Sequence, residues 1–359
     1  MKDKVLLIAA FGEGKDGMSH ASIVLRDEWK HMGVAMDSVD FFENGGAGVG
    51  ISANKKVMST YANFKLAKKY IKDAKVVYIT PKMSLFGFLS CIPFYRLCLA
   101  NKVPYTLHFH GRGLQQNFHK PLFPRKRMQY YVKKARSNIA LTPSLKEEMM
   151  ALMPEGRWDV VGNFSDLMLK DDEMEQKRKS YQQKPLQIVY MSNIMEGKGI
   201  FELIDAVKND DRFKLKIAGA VFPEEKERFD AVMKDAKNIE YLGFVYGEDK
   251  RNLLKESAVF ALPTAYKNEA QPISMIEALC LGCVVLTTTL PGIVDTLGES
   301  YPQSLYIKKD VENLKVKLTE LYDTNCKEGE VILDRIKDVQ RPFSVPHYAK
   351  QILDLTLGQ

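Results

Sequence analysis

Apolar residues in this chain alternate between two patterns. Short unbroken runs, as in KVLLIAAF (4–11), AKVVYITP (74–81), VPYTLHFHG (103–111) and NIALTP (138–143), read as buried strands. Between them SHASIVLRDEWKHMG (19–33), TYANFKLAKKYIKDA (60–74) and SLKEEMMALM (144–153) carry apolar residues at helical spacing. The alternation stops at KDDEMEQKRKSYQQK (170–184), which is charged and has no apolar period, and then restarts. LQIVYMSN, FKLKIAGA, IEYLGFV, AVFALPT and CVVLTTT are the strands of a second half. FELIDAVKN, EEKERFDAVMKDA, EDKRNLLKES and SMIEALCLG are the helices between them. Strand-then-helix repetition predicts an α/β chain of two Rossmann-like, doubly wound parallel sheets. The expected divisions are a first domain over 1–165, a linker over 166–185 and a second domain over 186–343. A last helix, 344–359, follows the completed second sheet and is free to pack back on the first domain.

Composition narrows this little. The 359 residues are 45% hydrophobic and 27% charged, ordinary values for a globular protein with room for two cores. The first apolar run is too short for a secretory leader and reads as a strand. The most apolar segment, Met83 to Ala100, is interrupted by Pro93 and Arg96, which favours a half-buried helix over a membrane span. Five cysteines, an odd number, do not form a disulfide framework. Cys280 and Cys283 make a CxxC, but their surroundings read as helix end, glycine stop and next strand, with no second ligand pair for zinc. A reducing, cytoplasmic compartment is expected.

Charge changes the picture more. Met1 to Asn163 carries a net +12 and the remainder a net −5. Much of the excess lies in NFHKPLFPRKRMQYYVKKARSN (117–138), where Lys120, Arg125, Lys126, Arg127, Lys133, Lys134 and Arg136 alternate with apolar and aromatic residues and no acid intervenes. A solvated helix face is one reading. No nucleic-acid recognition module accompanies the stretch, and an anionic membrane surface fits cations interleaved with rings.

The candidate chemistry centres on NEAQPISMIEA, where Glu269 and Glu277 bracket the start of a helix. Ser274 to Glu277 fits a capping box, which explains Glu277 without a ligand. Glu269, in a loop after the strand AVFALPT, needs another reason, because loops at strand carboxyl ends are where α/β folds keep their chemistry. The free amides expected around Ser274, Met275 and Ile276 would hold a phosphate. Glu277 could then accept from a ribose diol, and Glu269 from the hydroxyls of a sugar. A nucleotide diphosphate sugar meets both demands.

The spacing Glu269-x7-Glu277, followed by Ala-Leu-Cys-Leu-Gly-Cys-Val-Val-Leu-Thr, resembles the signature of family 4 retaining glycosyltransferases of the GT-B fold. Ser192 to Gly199, Ile217 to Gly219, Tyr241 to Val245 and Pro291-Gly292 resemble further segments of that family's second domain. Gly12 to Gly17, His108 to Gly111 and Val161 to Asn163 resemble its first domain more loosely. The resemblance implies two Rossmann-like domains facing across a cleft, with retention of configuration and a UDP- or GDP-sugar as donor. The implied acceptor is a glycan or a lipid-linked carrier of bacterial surface polysaccharide or lipopolysaccharide. It implies Lys198 on the donor diphosphate, Glu269 and His110 beside the transferred sugar, and Gly243, Phe244 and Val245 along the base. Gly14 and Gly17 would bring backbone amides to the phosphate or acceptor. The chain departs from the family at Asn193, where many members carry arginine; either another cation substitutes, Lys15 or Arg112 being the candidates, or diphosphate binding is weaker. Asp171-Asp172 is the nearest acidic pair but lies in the expected linker, so no metal and no separate cofactor are expected. The expected location is cytoplasmic, peripheral to the membrane. Two other readings share these residues: a nucleotide-sugar epimerase of the same shape, and a non-enzymatic basic surface-binding protein.

Overall fold

The computed structural model describes residues 4–12, 17–41, 53–82, 84–299, 301–308 and 310–359. The chain divides into two compact units, Met1–Asn163 with Val345–Gln359, and Phe164–Ser344. Each is built on one parallel sheet.

In the first unit the elements are β1 (Lys4–Ala9), α1 (Gly17–His31), β2 (Met36–Asp40), α2 (Ala53–Tyr70), β3 (Ala74–Ile79), α3 (Leu85–Ala100), β4 (Tyr105–Phe109), α4 (Gly113–Phe118), α5 (Arg125–Lys134), β5 (Ser137–Ala140), α6 (Pro143–Leu152) and β6 (Trp158–Val160). The strand order is β2-β1-β3-β4-β5-β6, all parallel. The central strands are apolar on both faces because helices cover both, and β4 is buried at every position. The segment weighed as a membrane span forms α3, whose Phe88, Cys91, Phe94, Tyr95 and Cys98 are buried. Ser84 starts it by accepting from the Gly87 amide. Among the described residues no helix is long and apolar enough to cross a membrane.

The second unit runs α7 (Met174–Gln182), β7 (Leu186–Met191), α8 (Ile200–Val207), β8 (Phe213–Ala218), α9 (Lys226–Met233), β9 (Ile239–Gly243), α10 (Gly247–Glu256), β10 (Val259–Leu262), α11 (Ile273–Cys280), β11 (Val284–Thr287), α12 (Pro291–Leu297), α13 (Val311–Asp323), α14 (Lys327–Asp334) and α15 (Ile336–Gln340). The order is β11-β10-β7-β8-β9. Succession turns outward in opposite directions from β7 and β10, and that neighbouring pair is where open sheets of this kind leave a crevice at their strand carboxyl ends.

The stretch expected as a linker is folded into this unit. Asp171–Glu173 forms a 3-10 turn and α7 follows it directly. Lys177 is fully buried, with its ammonium 3.0 Å from Leu254 O, 2.5 Å from Ser257 O and 3.3 Å from Cys283 Sγ. The last helix, α16 (Val345–Leu357), lies in the first unit. There Trp29 Nε1 donates to Ala349 O at 2.9 Å, and Arg136 donates to Thr356 O at 3.3 Å and to Leu357 O.

Candidate donor site in the second unit

Two loops rise from the paired strands β7 and β10. The first, Ser192 to Gly199, carries Gly197 and Gly199 in the left-handed region, at φ +85° and +77°. At Gly199 the requirement is doubled, because a Cβ there would lie 2.1 Å from Pro263 O in the second loop. The loops are tied where the Ala265 amide donates to Gly197 O at 2.7 Å. The third neighbour, the start of α12, is as close, since a Cβ on Gly292 would stand 1.9 Å from Ala270 O. Glycines at these contacts let three loops converge on one place.

What they converge on is an ion pair. Lys198 Nζ meets Glu269 Oε2, and each side chain keeps about an eighth of its surface exposed. The Tyr266 ring lies 4.9 Å from the ammonium, a cation–π arrangement. Asn193 lies exposed on the same first loop, with its carbonyl accepting from Tyr190 OH at 3.1 Å.

Glu277 is buried completely, and its carboxylate pairs with Lys250 on α10. The expected capping box does not form. The helix begins at Ile273 after Pro272 as N-cap, so Ser274 sits inside its first turn and Glu277 has no free N-cap amide to reach. Proline has no N–H to offer, and its fixed φ of −67° leads the chain straight into the helix. The expected amide set shifts accordingly. Ile276 N donates to Pro272 O at 3.3 Å, which leaves Ile273, Ser274 and Met275 as the amides without a helical carbonyl. The side chains of Met275 and Ile276 are core residues. Gly243 ends β9 at φ +67°, where its carbonyl accepts from the Gly219 amide at 2.8 Å; Phe244 is exposed beyond it and Val245 packs partly on the core.

The remaining expected residues lie in the first unit. His110 follows β4, and its ring sits 4.0 Å from that of His108. Burial first, and the His110 neighbour second, hold His108 well below the usual imidazole range. Its Nδ1 is 2.7 Å from Tyr78 OH. Arg112 pairs with Glu148, with both side chains largely buried, so a ligand drawing on its charge would compete with that carboxylate. Gly17 opens α1, whereas Gly14 and Lys15 lie outside the described residues. The basic stretch divides by role. Arg136 binds the carboxyl end of α16, Lys133 pairs with Glu155 and Lys120 with Asn117, while Arg125, Lys126 and Arg127 are exposed on the first turn of α5 and Lys134 lies 5.9 Å from the Tyr130 ring. Arg136 is therefore a structural residue and not part of an open patch.

Sequence reasoning missed Lys250, Tyr266 and Lys177. Lys250 and Tyr266 belong to the site only through contacts across the fold, and nothing in their local spacing marks them.

Residues 171–332 match the family model described as glycosyl transferases group 1. The capsular polysaccharide biosynthesis glycosyltransferase CapM of Staphylococcus aureus is 24% identical over 219 residues, and the match spans 57% of this chain and 57% of that protein's length. Among solved structures, the Anabaena HepE complex with UDP and glucose superposes with a TM-score of 0.70 at 12% identity, over 99% of this chain and 100% of that one. The sucrose-phosphate synthase of Thermosynechococcus elongatus gives 0.74 at 15% identity, over 98% of each chain. The chain thus has the GT-B type of fold, and residues 171–332 of its second unit are similar to the glycosyl transferases group 1 family.

Proposed function

We propose that the protein is a retaining glycosyltransferase that moves a sugar from a nucleotide diphosphate sugar to a glycan or lipid-linked acceptor of a bacterial surface polysaccharide. The observation that carries this reading is the meeting of Lys198 and Glu269, 71 residues apart in sequence, at the strand pair where such sheets bind ligands. The family match over the same unit supports it. Lys198 takes the charge that builds on the β-phosphate as the bond from the anomeric carbon to that phosphate breaks. The acceptor oxygen bonds to the same face of that carbon, and its proton passes to the departing phosphate oxygen. No protein nucleophile is required. Glu269 orients sugar hydroxyls, and Glu277, set by Lys250, accepts from the ribose. With a lysine answering the phosphate charge, activity is expected without a metal and to persist in EDTA.

We further propose that the enzyme works on an anionic membrane surface through the first unit. Phe86 and Leu122 are exposed to 81% and 84%, far more than apolar side chains usually are. Phe88 and Phe123, close to them in sequence, are buried with ring centroids 5.9 Å apart, so the start of α3 and the segment before α5 meet in the core, and Arg125, Lys126 and Arg127 follow exposed at the start of α5.

Thermal shift with UDP, GDP, ADP, CDP and dTDP tests the donor reading. A ligand at about 100 times its Kd adds about 2.7 kcal/mol, a shift of a few degrees for units of this size. One nucleotide standing out, with the shift lost in Lys198→Ala, is the expected result. A flat response to all five overturns the donor site. Release of an altered sugar nucleotide without acceptor would instead identify an epimerase.

A further inference from the structure

The second unit has another cavity that the donor reading leaves unused. It opens along the outer edge of the sheet, where β9 is the last strand among the described residues, and holds about 430 Å³. That volume falls within the range of small-molecule sites. Phe244 and Tyr246 line it as a stacked pair, with ring centroids 5.7 Å apart and planes 13° from parallel. They are 52% and 50% exposed, so each ring leaves a large part of its surface open. Facing the rings is one side of α10, where Asp249, Asn252, Leu253 and Glu256 recur at helical spacing. Glu256 is answered by Lys216 at 3.8 Å. Asp249 and Asn252 make no side-chain hydrogen bond to any described residue, so a carboxylate and an amide are open beside the rings.

We propose that this cavity is a carbohydrate subsite, distinct from the donor site, which holds a neutral stretch of the glycan. A sugar ring has an apolar face of C–H groups and a rim of hydroxyls. Flat aromatic side chains suit the face, and a carboxylate with an amide suits the rim, accepting and donating at once. The surrounding charge favours a neutral ligand over an anionic one, because Asp249 and Glu256 lie on the rim against the single ammonium of Lys216. Tyr246 immediately follows the segment expected to carry the base, so the backbone of Gly243 to Val245 remains available to the donor while the two rings serve the edge. The subsite gives the enzyme a second hold on a polymer, which raises the local concentration of chain ends without adding a contact at the reacting carbon.

This inference extends the glycan-assembling reading, and the test separates the two by omitting nucleotide. Saturation-transfer NMR on the full chain with maltotetraose, cellotetraose and chitotetraose, each at about 10 mM, reaches sites of millimolar Kd. At least one tetrasaccharide is expected to bind, and Tyr246→Ala and Asn252→Ala are each expected to weaken it about tenfold or more while leaving nucleotide thermal shifts unchanged. Those retained shifts also show that the variants fold. Failure of all three sugars to bind overturns the subsite and leaves the donor reading intact. Unaltered binding in both variants, or displacement of the sugar by the nucleoside diphosphate, likewise overturns it, the latter by assigning the cavity to the donor.

Discussion

Lys198 and Glu269 neutralise each other, and that pairing has a consequence for ligand binding. A diphosphate approaching the ammonium competes with the carboxylate, so the pair restrains binding even as it positions the lysine. Lys198→Ala removes charge-assisted bonds of about 1.5–3 kcal/mol, which is about 10- to 150-fold in kcat/KM. Glu269→Gln is expected to lower kcat while nucleoside diphosphate binds at least as tightly as before. Calorimetric titration of that variant reads the difference, and weaker binding would show that Glu269 does not compete. Lys177 poses the opposite problem, a buried side chain whose ammonium meets backbone carbonyls and the Cys283 sulfur and no carboxylate among the described residues. Its three carbonyl contacts, at Leu254, Lys255 and Ser257, gather around the carboxyl end of α10, where the helix dipole favours a positive charge. Lys177→Met keeps the stem's packing and strands those carbonyls, so urea denaturation should show a loss of about 2–4 kcal/mol.

At the scale of elements, the turn at Asp171–Glu173 shows why a charged stretch need not be a linker. Glu173 receives Arg251 through two bonds of 2.6 and 2.5 Å, with Lys255 at 3.2 Å, so the turn is clamped to α10. Arg251 foremost, with Lys255 adding to it, holds the Glu173 carboxyl down at about 2 against an ordinary 4.5. Its folded form therefore binds fewer protons than its unfolded form between those values. The stabilisation is complete above pH 4.5 and is lost as pH falls towards 2. Glu173→Gln should cost about 1–3 kcal/mol at pH 7, and the gap from the parent should narrow steadily below pH 4.5. A gap that stays constant down to pH 3 would mean the clamp acts through packing alone. The strands of the second unit were legible as unbroken apolar runs, and the helices α1 and α6 because their apolar residues recur at helical spacing. The polar strand β2, half exposed along MDSVD, gave no such signal, and neither did the three-residue β6. α7 was illegible for a different reason. One of its inward residues is a lysine, and only the fold reveals that carbonyls await it. The site divides the same way: Glu269 and Lys198 could be read from their motifs, but the ion pair between them, the Lys250 partner of Glu277 and the engaged Arg112 could not.

For the whole molecule the governing feature is its uneven charge, +12 over the first 163 residues and −5 over the rest. α16 completes the first unit with one lysine and one aspartate, which leaves that excess unchanged. Of the seven cations in the basic stretch, Arg136 and Lys133 are engaged within the unit, Lys120 bonds Asn117 and Lys134 lies by the Tyr130 ring, so membrane attraction should rest chiefly on Arg125, Lys126 and Arg127. Each contributes about 1 kcal/mol near an anionic surface, so reversing all three to glutamate should weaken binding to phosphatidylglycerol vesicles by more than about 100-fold. The attraction should fade as salt rises and the screening length contracts from about 30 Å at 0.01 M to about 8 Å at 0.15 M. Phe86→Ser with Leu122→Ser should behave differently, because burial of apolar side chains in the headgroup layer does not depend on salt. That variant should bind less at every ionic strength, with the salt slope preserved. Co-sedimentation across a salt series distinguishes the two effects, and unchanged nucleotide shifts in both variants locate the loss in the first unit. Parent protein that ignores anionic vesicles at low salt, where the attraction is greatest, would remove the membrane from the proposal and leave the exposed Phe86 and Leu122 without a partner.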